Sequence, residues 1–79
     1  MQYFVRAVEM HKESDRIFGP ERFCAGLSIA KDEAKRMVLA SDPSLQLRAD
    51  ACVRNRGHVQ TKYRCWLNER GEFQEAVLV

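Results

Sequence analysis

Long apolar runs are missing from this chain of 79 residues. None approaches the ~20 consecutive apolar positions of a membrane-spanning helix, so no membrane partner is expected. Charge of one sign is missing too: 13 Lys and Arg stand against 11 Asp and Glu, a net of +2. That balance excludes a histone-like or ribosomal polycation and leaves any anionic partner to be argued from local clustering. The two parts of the chain differ little, with seven basic and seven acidic residues before position 44 and six and four from there on. The three cysteines, Cys24, Cys52 and Cys65, are an odd set rather than the even framework of a small secreted domain. No apolar leader follows Met1, because Arg6 and Glu9 interrupt the first run. A reducing, cytoplasmic setting is the expectation.

Catalytic signatures are equally scarce. There is no Gly-x-Ser-x-Gly elbow, no phosphate-cradling Gly-rich loop and no His-Glu-x-x-His helix. Asp32 and Glu33 are adjacent, so on a helix they cannot face each other as an acid–base pair. The thiols lack metal-ligand spacing, and only His11 and His58 could supplement them. A chain this short buries ~60% of its unfolded surface, enough for one thin core and no deep cleft. The expectation is one domain over residues 1–79, not an enzyme, with no cofactor and no metal.

What is present is alternation. Residues 2–10 are rich in β-branched and aromatic types and read as a first strand. A polar stretch from His11 and the pair Gly19-Pro20 follow, then a short strand over 21–27. The long connection from His11 to Glu21, with Arg16, Ile17, Phe18 and Gly19, offers either a recognition loop or a segment whose Ile17 and Phe18 tuck into the sheet edge while its charges stay wet. For Phe18 the tucked position is the expectation. Ser28 reads as a helix N-cap, with Asp32 and Glu33 behind it favouring the positive end of the dipole. Ala30, Ala34, Met37, Val38 and Ser41 then recur at helical spacing until Asp42-Pro43 stops the helix.

The last third alternates most cleanly. Leu45, Leu47, Ala49, Ala51 and Val53 share one side, and after Asn55-Arg56-Gly57 so do Val59, Thr61, Tyr63, Cys65 and Leu67. Glu69-Arg70-Gly71 leads into a final strand over 72–79. Both turns offer a glycine to a three-residue hairpin loop. That loop places Arg54 opposite His58, Ala49 opposite Tyr63, Leu47 opposite Cys65, Arg48 opposite Arg64 and Asp50 opposite Lys62. In the second hairpin Asn68 faces Glu72, Leu67 meets Phe73, and Glu75 points inward beside Cys65, which requires a bulge or an end open to water. The fold class is therefore α+β: an antiparallel sheet of about five strands with one helix on one face, in the order β-β-α-β-β-β.

The uncovered side of this ribbon carries Arg48, Arg54, Arg56, His58, Lys62, Arg64 and Trp66. Arginine with tryptophan is typical of protein interfaces, and basic sheets bearing aromatics also stack single-stranded bases. Placing Arg48 against Arg64 would cost roughly 0.2–1 kcal/mol, which hints at a partner; the alternative is a solvated sheet face with Trp66 covered by Lys and Arg stems. Cys65 reads as core and Cys52 as exposed and open to reaction.

The Ser-headed helix with Leu27-Ser28-Ile29-Ala30-Lys31 and Ala34-Lys35-Arg36, and the hairpin with Trp66-Leu67 before Glu69-Arg70-Gly71-Glu72, resemble small phage-encoded anti-CRISPR proteins. The nearest likeness is to those that block the type I surveillance complex, Cascade, with one helix on a five-stranded antiparallel sheet. The resemblance implies a stoichiometric inhibitor that binds Cas subunits or their DNA-recognition surface and prevents target DNA binding. From the residues alone, a nucleic-acid-binding module and a homodimer joined along a sheet edge stand beside it.

Overall fold

Two properties of the chain place its strands: alternation of apolar side chains and the turns between them. The computed structural model describes residues 1–10 and 16–78. In chain order these form β1 (Gln2–Glu9), β2 (Arg16–Cys24), α1 (Leu27–Ala40), a 3-10 turn at Pro43–Leu45, β3 (Leu47–Asn55), β4 (His58–Leu67) and β5 (Phe73–Val77). All pairings are antiparallel and the strands lie in the order β2-β1-β3-β4-β5. This is an α+β fold, one helix packed on one face of an open five-stranded sheet. The described helix is too short to cross a membrane.

The main core lies between helix and sheet. Ala30, Ala34 and Val38 from α1 meet Val5, Ala49, Ala51, Tyr63 and Cys65. Alanines on both layers let the helix approach closely, and Tyr63 fills the space that they leave. Each large side chain sealed there contributes roughly 1.5–3 kcal/mol. The ammonium groups of Lys31 and Lys35 lie 5.9 and 5.7 Å from the Tyr63 ring centre, so their stems cover its outer edge.

The helix starts one residue before the expected cap. Gly26 is the N-cap in extended conformation, without a side-chain hydrogen bond, and Ser28 lies inside the first turn. Asp32 and Glu33 consequently fall beyond that turn, away from the helix end. Glu33 instead accepts hydrogen bonds from Arg36 and, at 2.7 Å, from Arg22 of β2, clamping that strand to the helix. The Arg22 hydrogen bond, and then Arg36, hold the Glu33 carboxyl below its usual range. At the other end Ser41 closes the helix, its backbone N–H and hydroxyl both donating to the Val38 carbonyl.

The second strand runs earlier and longer than residues 21–27. Val5 pairs with Arg22 and Ala7 with Phe18, so Gly19, Pro20 and Glu21 stand together opposite Arg6 as a bulge. Ile17 and Phe18 are 64% and 45% exposed rather than tucked in. As an edge strand, β2 has no neighbour to cover them.

The second hairpin has the expected register: Leu67 pairs with Phe73, Trp66 with Gln74 and Cys65 with Glu75. Its loop is fixed by the Asn68 carboxamide oxygen, which accepts from the backbone of Arg70 and Glu72, and by Gly71 at φ 77°. Glu75 is exposed, so that end of the sheet opens to water with no bulge in this pairing.

The first hairpin differs. Asn55 pairs with His58, leaving a two-residue loop in which Arg56 (φ 53°) and Gly57 (φ 83°) are both left-handed. Such a primed turn follows the twist of the strands. It also puts Val59 and Thr61 on the wrong side for the core. A bulge at Lys62, between the Cys52–Thr61 and Ala51–Tyr63 pairs, restores the phase and returns Tyr63 and Cys65 to the helix side. The expected pairs Ala49–Tyr63 and Leu47–Cys65 are replaced by Ala51–Tyr63 and Ala49–Cys65.

The left-handed Arg56 costs roughly 1 kcal/mol that asparagine largely avoids. Arg56→Asn should therefore raise the urea midpoint, equivalent to about 0.5–1 kcal/mol. An unchanged or lower midpoint would argue for a different loop.

Candidate functional site

The face opposite α1 has no covering element among the described residues. Antiparallel partners share a side of the sheet, so residues fall into rows across this face. One row reads Ile17, Val8, Arg48, Trp66, Gln74; the next reads Arg6, Asp50, Arg64, Ala76; a third reads Phe23, Phe4, Cys52, Thr61. Arg54 follows, between Gln2 and Val59.

At the centre of the middle row the Asp50 carboxylate is fully buried. Arg64 grips it as a fork, with Nε donating to Oδ1 at 2.9 Å and Nη2 to Oδ2 at 3.3 Å. Arg48 Nε lies 3.5 Å from Oδ1 and Arg6 Nε 3.9 Å from Oδ2. Three cations thus converge on one anion. A buried charge is tolerable only when paired, and here the pairing comes from three strands. The carboxylate in turn fixes three long side chains that would otherwise sweep freely, while each keeps part of its surface in water.

Beside this group the arginine stems roof a second, thinner apolar layer of Phe4, Val8 and Cys52, all buried. The Arg54 guanidinium stacks 4.6 Å above the Phe4 ring centre and donates to both carboxylate oxygens of Glu21, at 3.0 and 3.2 Å. Phe23 packs on Phe4 at 6.0 Å between ring centres and is itself 60% exposed. Trp66, half-buried, closes the other side.

Of the residues expected on this face, Arg48, Arg54, Arg64 and Trp66 are there. His58 and Lys62 are not: the short loop and the bulge turn them to the helix side, where with Arg56 they line a shallow hollow beside Tyr3, Leu27 and Val53. Arg48 does not oppose Arg64 but pairs with Trp66, and Asp50 pairs with Arg64 rather than Lys62. The like-charge row is thereby replaced by two arginines sharing one carboxylate. Cys52 is buried rather than exposed. Burial pushes its thiol up, and pushes Cys65 up to about 11.

Sequence reasoning missed Arg6 and Glu21. Arg6 has the parity of Phe4 and Val8, which could have revealed it, but only long-range pairing of β1 with β3 brings it to Asp50. Glu21 has the parity of Phe23 and so shares its side of the sheet, but only the long-range pairing of β2 and β3 with β1 brings it to Arg54. Among the described residues no group of three or more His, Cys, Asp or Glu is placed to hold a metal ion. His11 lies outside the described residues. Comparison with protein-family models, with curated proteins and with solved structures gives no match to this chain.

Asp50→Asn keeps the shape of the side chain and removes the charge that three arginines share. It should cost ~3 kcal/mol, the low end for a broken buried pair because the arginines stay partly wet. Urea unfolding of the variant reads this directly, and a loss below about 0.5 kcal/mol, the scale of surface pairs, would contradict it. In the native protein at pH 8 only Cys24, half-buried, should react quickly with a thiol reagent, and all three should react after unfolding. Fast reaction of two thiols would mean that the arginine roof over Cys52 is open.

Proposed function

We infer that this chain is a non-enzymatic binding protein whose arginine-lined sheet face is its docking surface. We take its target to be a type I CRISPR surveillance complex, Cascade, which it inhibits in the host cytoplasm by blocking target DNA binding. The docking half of this reading is carried by one observation: Arg6, Arg48 and Arg64 gathered on Asp50 beside Trp66. Arginine and tryptophan dominate binding energy at protein interfaces. Here the arginines are already held, so docking orders fewer side chains and loses less entropy. The target half rests on the resemblance of the helix and final hairpin to phage-encoded anti-CRISPR proteins. A stoichiometric inhibitor needs a rigid, complementary surface and no reaction centre. Acidic patches on Cas subunits would be the complement of this face.

Size-exclusion chromatography with purified type I Cascade tests the reading. The chain should co-elute with the complex and abolish its retention of target DNA in a gel shift. Trp66→Ala should weaken capture by about tenfold or more, the scale of an interface anchor. Failure to co-elute with any type I effector complex overturns the inhibitor reading.

A further inference from the structure

We propose that the outer edge of β5 docks an extended peptide strand of a partner protein, with lysine or arginine opposite Glu75 and apolar residues two positions to either side. This edge lies apart from the arginine-lined face, so the proposal stands whether or not Cascade is the target.

Hydrogen bonding defines the edge. The Asn68 N–H donates to the Glu72 carbonyl and the Leu78 N–H to the Lys62 carbonyl, both at 2.9 Å, and the register between them is unbroken. Antiparallel ladders alternate, so Gln74 and Ala76 also turn their backbone groups to β4. Phe73, Glu75 and Val77 turn theirs outward. Among the described residues, only the Phe73 carbonyl of these six groups has a partner, the Gln74 side-chain amide at 3.0 Å. A carbonyl can accept a second bond, so the row stays usable.

Residues 11–15, which join Met10 to Arg16, are too few to close this edge. Six Cα steps give about 23 Å of chain. The path from β1 out to β5 and back to β2 crosses seven strand spacings, about 34 Å.

The side chains say what fits. Phe73, Glu75 and Val77 project on one side of the sheet, a carboxylate between two apolar groups. Phe73 packs on the helix-side core, Val77 is 65% exposed, and Glu75 has no ion-pair partner among the described residues. An added strand sets its own side chains directly opposite, about 5 Å away at Cβ. Apolar residues there would cover Val77 and finish the cover of Phe73, and a cation would meet Glu75. Backbone bonds would hold such a strand, and its alternate side chains would select it.

A second copy of this chain fits less well. The self-pairing that engages all six outward groups is centred on Glu75 and puts two carboxylates face to face, which is destabilising. Charge complementarity therefore selects a cationic strand.

The probe is the capped peptide Thr-Val-Thr-Lys-Thr-Val-Thr, with a twin carrying Glu in place of Lys. At about 1 mM and low salt, the lysine peptide should slow hydrogen exchange at the Phe73, Glu75 and Val77 amides. Gln74 and Ala76, already bonded to β4, should not change. The glutamate twin should bind about fivefold or more weakly, and Glu75→Lys, at an exposed position, should invert the order of the twins. N-methylating the peptide's lysine nitrogen removes a donor that faces β5 and should cost about fivefold or more. The same change at the next threonine, whose N–H faces away, should leave binding in place. Unchanged exchange at all three amides, twins of equal affinity, or an order that Glu75→Lys does not invert would overturn the proposal. So would a free protein that sediments as a dimer with those amides already protected, because the second copy would then be the occupant.

Discussion

A single carboxylate organises one whole side of this molecule. Asp50 sits on the middle strand, and an ionised group there, fully out of water, would be ruinous without partners. Arg6 and Arg64 reach it from the strands on either side and Arg48 from two residues along β3. The arrangement is mutual. The carboxylate is tolerable because of the cations, and the cations lie flat because of the carboxylate. Their stems then roof Phe4, Val8 and Cys52, so the sheet is greasy on both sides although only one has a helix.

The other side is governed by a conflict of phase. A two-residue turn at Arg56-Gly57 matches the strand twist, whereas the core needs Tyr63 and Cys65 beneath Ala34 and Val38. With side chains alternating strictly, both demands cannot be met by an unbroken β4. The extra residue at Lys62 reconciles them, at the loss of one regular ladder position. It also sorts the cations into two groups, the carboxylate-bound arginines on one side and the His58–Lys62 corner on the other.

How much of this was legible from sequence depends on where the information lies. The element order, the helical stripe and the second hairpin are local properties. Asn68 and Gly71 leave that hairpin only one comfortable loop, so its pairs read correctly. Asn55-Arg56-Gly57 is ambiguous, since it suits a loop of three residues or of two. That one-residue ambiguity moved His58 and Lys62 to the wrong side and set Arg48 against Arg64. The central position of β1 has no local signal at all, so Arg6 went unnoticed. Trp66, Arg48 and Arg64 were grouped correctly because they lie beyond the bulge, where the loop error and the bulge together shift the pairing by two and restore parity.

The two borders of the sheet are unequal. Along β2, three residues crowd opposite Arg6, and Pro20 has no N–H to offer, so an approaching strand finds a broken row of donors there. Along β5, the backbone from Phe73 to Val77 pairs with β4 in unbroken register, and no further strand lies beyond it among the described residues. A sheet that can be lengthened on one border only stops at a pair when two copies meet. Despite the bare Ile17 and Phe18, the molecule is thus protected by its own geometry from growing into a fibre.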